Sequence, residues 1–176
     1  MSRGVRLSGG RWRGRRLRVA SGVRPTEGRV REALLSIWQE QLPGARFLDL
    51  FTGSGAVGLE ALGRGAAQAT LVDRAPASLA AVKENCRLLA AEEAKVVRLD
   101  LPRGLDRLRG PFDLIFADPP YAFEEYGDLV RAACARLAPD GEMALEHEVD
   151  LDPDLPLVES RRYGGTILSF FSPEPV

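Results

Sequence analysis

The sequence predicts an α/β fold: a mostly parallel, doubly wound sheet with a C-terminal antiparallel hairpin and a short basic N-terminal β arm. Three observations predict it. From residue 46 onward, five short apolar runs alternate with segments of helical spacing, as consecutive β-α units do. Several of these runs stop at an acid, where an open α/β sheet delivers side chains to a ligand crevice. The last two apolar runs are separated by Gly164-Gly165 alone, which is hairpin spacing. At 176 residues and 45% hydrophobic, the chain can bury one sizeable domain and is too short for two large ones.

The elements follow in order. Val5–Leu7 and Arg16–Val19 read as two short strands around the glycine-rich stretch Ser8–Gly14. Thr26, after Pro25, is placed to cap a helix. Val30, Ala33, Leu34, Ile37 and Trp38 then share one helical face until Pro43-Gly44. Arg46–Phe51 is the first parallel strand, followed by a glycine turn and a helix to about Arg64. Ala69–Val72 is the second, and Pro76 opens a helix with Leu79, Val82, Cys86 and Leu89 inward. Lys95–Arg98 is the third, with a short helix near Leu101–Leu108. Phe112–Ala117 is the fourth, followed by a helix over about Glu124–Ala138 with Leu129, Ala133 and Leu137 inward. Met143–Glu146 is the fifth, and Val158–Tyr163 with Thr166–Phe171 forms the hairpin.

Charge divides the chain at residue 25. Residues 1–25 hold eight arginines and no Asp or Glu, which leaves −9 on residues 26–176 of a chain whose net charge is −1. A basic arm on an acidic body suits a polyanionic partner. The expected organisation is therefore a basic arm over 1–25 for contact with a polyanion and one domain over 26–176. Cys86 and Cys134 lie far apart within helical patterns and His147 is the single histidine, so no disulfide framework or metal site is expected. No apolar run has the length of a membrane span and the arginine-rich start lacks a signal's apolar segment, so a soluble, cytoplasmic protein is expected.

Chemistry concentrates at the strand ends. The first strand runs into Asp49-Leu50-Phe51-Thr52-Gly53-Ser54-Gly55. Gly53 and Gly55 let backbone approach a ligand closely, and the next helix offers amide donors at its start. Asp49 is unhelpful beside a pyrophosphate but suits the sulfonium and amino group of S-adenosylmethionine. Asp73 ends the second strand, about 20 residues beyond the glycines, where an acid can accept from ribose hydroxyls. Asp100, after the third strand, can accept from an adenine amino group or cap the following helix. Thr26, Thr52 and Arg74 complete the expected cofactor set.

The fourth strand ends in Asp118-Pro119-Pro120-Tyr121. Two prolines stiffen the loop and remove two amide donors, leaving the Pro119 carbonyl free. Asp118 and that carbonyl pair as acceptors for the two hydrogens of a planar amino group, and Tyr121 can stack on its base. These four form the expected catalytic loop.

Asp49–Gly58 together with Asp118–Tyr121 resembles class I, Rossmann-like methyltransferases acting on amino groups. The start Gly9-Gly10-Arg11-Trp12-Arg13-Gly14-Arg15-Arg16-Leu17, with Arg24-Pro25-Thr26 and Arg29–Leu34, is similar to one branch of them: the RsmD family of bacterial 16S ribosomal RNA guanine-N2-methyltransferases. The resemblance covers nearly the whole chain. It implies S-adenosylmethionine as donor, with S-adenosylhomocysteine as product, and no metal. As acceptor it implies a guanine of ribosomal RNA in an assembling small subunit. Arg11, Arg13, Arg15, Arg16, Arg24 and Arg29 are the expected RNA contacts.

Other readings remain at this level. A DNA adenine or cytosine amino methyltransferase shares the catalytic loop but usually needs a large target-recognition region, for which this chain has no room. A protein-glutamine methyltransferase would begin the loop with Asn. A non-catalytic RNA-binding assembly factor would be expected to lack Asp49, Asp118 or the glycines. A nicotinamide enzyme has no evident use for the loop.

Overall fold

Phe47, Leu48 and Leu50 are all inaccessible to solvent, and their alternation shows how the layers are built. Phe47 joins one core cluster, whereas Leu48 and Leu50 join another on the opposite side. A strand buried on both faces sits inside a parallel sheet, with a helical layer on each side.

The computed structural model describes residues 4–173; Arg3 of the basic start lies outside them. A two-stranded ribbon, β1 (Val5–Arg6) and β2 (Arg16–Leu17), comes first. Then follow α1 (Gly28–Ile37), β3 (Arg46–Leu50), α2 (Ala56–Gly63), β4 (Gln68–Asp73), α3 (Pro76–Leu89) and β5 (Ala94–Arg98). A 3-10 turn at Arg103–Arg107 leads to β6 (Phe112–Ala117), α4 (Tyr126–Cys134), β7 (Leu137–His147), β8 (Leu157–Tyr163) and β9 (Thr166–Phe171). The main sheet has the order β5-β4-β3-β6-β7-β9-β8. Strands β3 to β7 pair in parallel, and β9 adds antiparallel to both β7 and β8. The order reverses between β3 and β6, so the crevice lies over their carboxyl ends.

Helices α1, α2 and α3 cover one face, where Val30, Leu34, Trp38, Leu59 and Val82 pack on Phe47 and Phe116. Trp38 meets Phe47 and Phe170 edge-on at 5.9 and 6.2 Å and donates its indole N–H to Glu142. Helix α4 and the 3-10 turn cover the other face through Leu105, Leu129, Val130 and Ala133.

Three expectations change. Thr26 does not cap α1: the N-cap is Glu27, without a side-chain bond, and the Thr26 hydroxyl donates to Asp118 instead. Helix α4 ends at Cys134, and Leu137 pairs with Phe112 as the first residue of β7. Pro139 is the reason, since it disfavours helical backbone at the residue before it and cannot donate back into a helix. The basic arm is docked on the body: Leu7, Trp12 and Leu17 are buried in the same cluster as α1 and α2.

That docking rests on close backbone contact. Gly10 has φ +75°, and a Cβ there would sit 2.5 Å from the Gly63 carbonyl carbon. The neighbouring Arg11 amide donates to the Gly63 carbonyl at 2.8 Å. Gly10→Ala is expected to cost about 2 kcal/mol, combining left-handed strain with a backbone clash. Limited proteolysis should then cut within residues 8–16 several-fold faster; unchanged cutting would refute the docking.

Candidate functional site

A cleft of about 1140 Å³ opens over the carboxyl ends of β3, β4, β6 and β7. Thr26, Asp49, Thr52, Gly53, Asp73, Arg74, Asp100 and the loop Asp118-Pro119-Pro120-Tyr121 all line it, although they are scattered from residue 26 to residue 121 of the chain. Strand direction explains this convergence: parallel strands deliver all their carboxyl ends to one edge.

The glycine turn is held by two acids. Asp49 is 2% exposed, and its Oδ2 accepts the Thr52 hydroxyl at 2.7 Å and the Gly58 amide at 3.0 Å. It therefore ties β3 to the first turn of α2, taking one of the free amides there. Asp73 accepts the Gly53 amide at 3.0 Å with Oδ2, and the Arg74 and Ala75 amides with Oδ1. Oδ2, with a single donor, keeps lone-pair capacity for a ligand hydroxyl. Gly55, at φ +85°, is the N-cap of α2, and a Cβ there would strike Val82 at 2.6 Å. It lies behind the turn and acts by packing. Asp100 reaches Arg74 at 3.4 Å, both largely exposed on the rim.

In the Asp118–Tyr121 loop, Asp118 Oδ2 accepts the Thr26 hydroxyl at 2.7 Å. No hydrogen bond ends on the Pro119 carbonyl among the described residues. Tyr121 stands at the lip, 89% exposed. Phe51, at φ +57°, meets Phe123 edge-on at 5.3 Å, and Phe123 meets Tyr126 at 5.2 Å. This aromatic stack pins the loop to the end of β3, where the positive φ of a non-glycine residue is a local strain.

The cleft is acidic. Burial, with Asp118 and Asp73 adding like charge, raises the Asp49 pKa to about 7 despite its two donors. Burial raises Asp118 to about 6, opposed by the Thr26 bond and the Arg24 charge. Burial and then the Asp118 charge raise Glu146 to about 8. Crowded carboxyls of this kind favour a cationic ligand, which offsets their repulsion.

The residues that sequence reasoning missed are Glu146, Glu148, Phe51, Phe123 and Tyr126, all lining the cleft. Glu146 ends the fifth predicted strand, so the strand-end rule pointed there, but no motif singles it out. His147 has a structural setting: Nδ1 meets the Val149 carbonyl and Nε2 meets the Ser169 hydroxyl, both at 2.7 Å. Among the described residues, no group of three or more His, Cys, Asp or Glu side chains could hold a metal ion, and no helix is long and apolar enough to cross a membrane.

The arginines of the β1–β2 ribbon are not brought to the cleft. Arg11 pairs with Glu93 at 3.5 Å, and Arg15 donates to the Leu88 carbonyl at 3.0 Å. Those partners, with Gly63, lie where α2 and α3 end and before β5 begins, at the opposite edge of the sheet. The 14 residues of α3 set that separation at roughly 20 Å. Arg13 and Arg16 are exposed in the same ribbon. Arg24 lines the cleft and pairs with Glu27 at 3.6 Å, and Arg29 lies beside Gly164 of the hairpin turn.

Comparison with known proteins agrees with this geometry. The family model described as "Conserved hypothetical protein 95" matches residues 5–172. "Ribosomal RNA small subunit methyltransferase D" of Escherichia coli (strain K12) is 42% identical over 119 residues, 66% of this chain and 60% of that protein. The chain's match thus spans about three fifths of that relative's length. The Haemophilus influenzae protein of the same name is 34% identical over 83% of this chain and 80% of its own. A hypothetical protein of solved structure from Thermus thermophilus is 36% identical, with a TM-score of 0.84 over 96% of this chain and 99% of that one.

Proposed function

This chain belongs to the Conserved hypothetical protein 95 (RsmD) family, and on that premise we propose that it methylates the exocyclic N2 amine of a guanine in small-subunit ribosomal RNA, with S-adenosylmethionine as donor. The observation that carries the reading is the pairing of Asp118, oriented by Thr26, with the unpaired carbonyl of Pro119 in one acidic cleft. Two acceptors side by side match the two hydrogens of an amine. Binding both favours the tetrahedral nitrogen whose lone pair can attack.

The cleft fits the donor on its own chemistry. A Cβ on Gly53 would meet only Val23 at 3.4 Å, so the turn has an open face, and the crowded carboxyls suit a sulfonium cation. Asp49, Thr52 and Gly53 would hold the amino-acid part, with Gly55 supporting the turn from behind; Asp73 would hold the ribose, and Arg74 with Asp100 the adenine rim. When bound, S-adenosylmethionine supplies an electrophilic methyl group. Tyr121 covers the flat face of a base splayed from its RNA context. Asp118 accepts an amine hydrogen and can take the proton released after transfer. The exposed arginines hold phosphates, those of the ribbon far from the target nucleotide and Arg24 and Arg29 close to it. We place the reaction on the small subunit during assembly, in the cytoplasm.

The test is transfer of labelled methyl from S-adenosylmethionine to small subunits from cells lacking this protein, followed by nuclease mapping. Label on one guanine N2 is expected. Unlabelled RNA despite donor binding would redirect the search to DNA and protein acceptors. A second expectation concerns salt: Arg13→Ala with Arg16→Ala should weaken RNA binding and flatten the slope of log K against log salt by roughly two. An unchanged slope would remove these arginines from the interface.

A further inference from the structure

In the parallel register of β6 and β7, Ala117 faces Leu145. The next step along both strands brings Asp118 and Glu146 side by side on the same face of the sheet. Asp118 belongs to the loop already described; Glu146 is so far unassigned. Its Oε1 accepts the Thr166 hydroxyl at 3.3 Å. Its Oε2 is shut off from solvent and receives no hydrogen bond among the described residues.

An ionised carboxylate only accepts, so an oxygen sealed from water with no donor bears an uncompensated desolvation cost. A proton on that oxygen turns it into a donor, and the Asp118 carboxylate stands alongside. The charged neighbours favour the same state. Asp118 faces Glu146 from β6, and Glu27 and Arg24 face it from the segment entering α1. Glu148 acts on Asp118 from the end of β7, while Tyr126 of α4 carries a phenol and Thr166 of β9 a hydroxyl. The cation among these neighbours, Arg24, has a side chain 75% exposed and shared with Glu27.

We propose that Glu146 is a positioning residue: in the resting protein it holds a proton and donates it in a hydrogen bond to Asp118, leaving Asp118 the one ionised carboxyl of the pair presented to the substrate amine. The proton itself is independent of what the protein methylates; its catalytic consequence rests on the amine-transfer reading above. The pair resembles other carboxyl dyads that share one proton because both members cannot ionise at close range. Thr26 and Glu146 then hold Asp118 from two sides. The pair works with one proton aboard: below it Asp118 is neutralised, above it Glu146 becomes a second anion.

The test has two arms. Carbon-13 NMR of protein labelled at the Glu and Asp side-chain carboxyls, free of donor and RNA, reads the proton directly, with Glu146 assigned by its loss in Glu146→Gln. The Glu146 resonance should have the shift of a neutral acid at pH 7, move to the ionised position only around pH 8, and titrate lower in Asp118→Asn. A Glu146 carboxylate already ionised at pH 6 would overturn the proposal whatever the activity. In single-turnover methyl transfer, Glu146→Gln should keep the pH 7 rate within about threefold, because its amide N–H also donates, and should lose the alkaline decline of the wild type. Glu146→Ala, which cannot donate, should fall about tenfold or more, a loss of roughly one hydrogen bond. A Gln variant as slow as the Ala variant would refute the neutral-donor role. A wild type that transfers nothing to RNA would refute the ribosomal reading and leave the NMR result standing.

Discussion

Asp118→Ala is expected to leave S-adenosylmethionine binding within a factor of a few of the wild type, while methyl transfer to RNA falls on the order of 10²- to 10³-fold. Under the proposed function Asp118, anchored by Thr26, serves the amine, whereas the glycine turn is held by Asp49 and Asp73. Donor binding and amine activation are therefore separable. Removing Asp118 also takes away a like charge that Asp49 and Glu146 both feel, so the variant should fold at least as well as the wild type. Asp118→Asn keeps an acceptor oxygen and should be less severe than Asp118→Ala, yet slower than the wild type, since the amide carries no charge to stabilise the developing cation on the amine. Isothermal titration with the donor and single-turnover transfer measure the two effects independently. Near-normal turnover in Asp118→Ala would rule out the amine-acceptor role.

Glu60→Ala is expected to produce the largest loss of stability, about 3–5 kcal/mol. Glu60 is inaccessible to solvent and faces three partners, Arg31, Ser8 and Arg64. Its Oε2 holds the guanidinium of Arg31, itself 2% exposed; its Oε1 accepts from Ser8 and, at 3.2 Å, from Arg64. Arg31 in turn donates to the Arg6 carbonyl at 2.7 Å. One carboxylate thus ties α2 to α1 and both to the β1–β2 ribbon. Without it a guanidinium remains buried and uncompensated, which is why breaking such a pair costs far more than replacing it with apolar groups. In a protein of this size the loss corresponds to a melting temperature lower by on the order of 10 °C. Arg31→Met with Glu60→Leu should recover much of that stability while leaving Ser8 without its acceptor, so the ribbon should remain open to protease. A loss below about 1 kcal/mol in Glu60→Ala would show that this network is not what holds the ribbon.

The ribbon's position bears on how RNA is held. Composition marks residues 1–25 as basic, and composition carries no information on where a segment docks. Leu7, Trp12 and Leu17 put it against α1 and α2, and its arginines face away from the cleft edge. Under the proposed function, RNA held at both ends spans roughly 20 Å of protein, the length of α3.

The elements themselves were legible because they are written in local spacing. Alternating apolar runs, a proline opening α3, Gly164-Gly165 at the hairpin and Pro-Pro after Asp118 act on the backbone within a few residues. The strand-end acids were legible for the same reason: parallel strands must deliver their carboxyl ends to one edge, so Asp49, Asp73 and Asp118 had to converge. What those acids contact was settled only in three dimensions. Thr26 finds Asp118 across 92 residues and gives up its cap position, Asp49 spends an oxygen on the α2 amide, and register sets Glu146 beside Asp118. Proton affinity follows from burial and from charges a few ångströms away, and both depend on contacts between segments distant in the chain. The residue types and their local periodicity therefore determined the fold and the location of the cleft, while the tertiary packing decided which carboxyls in it are free to act.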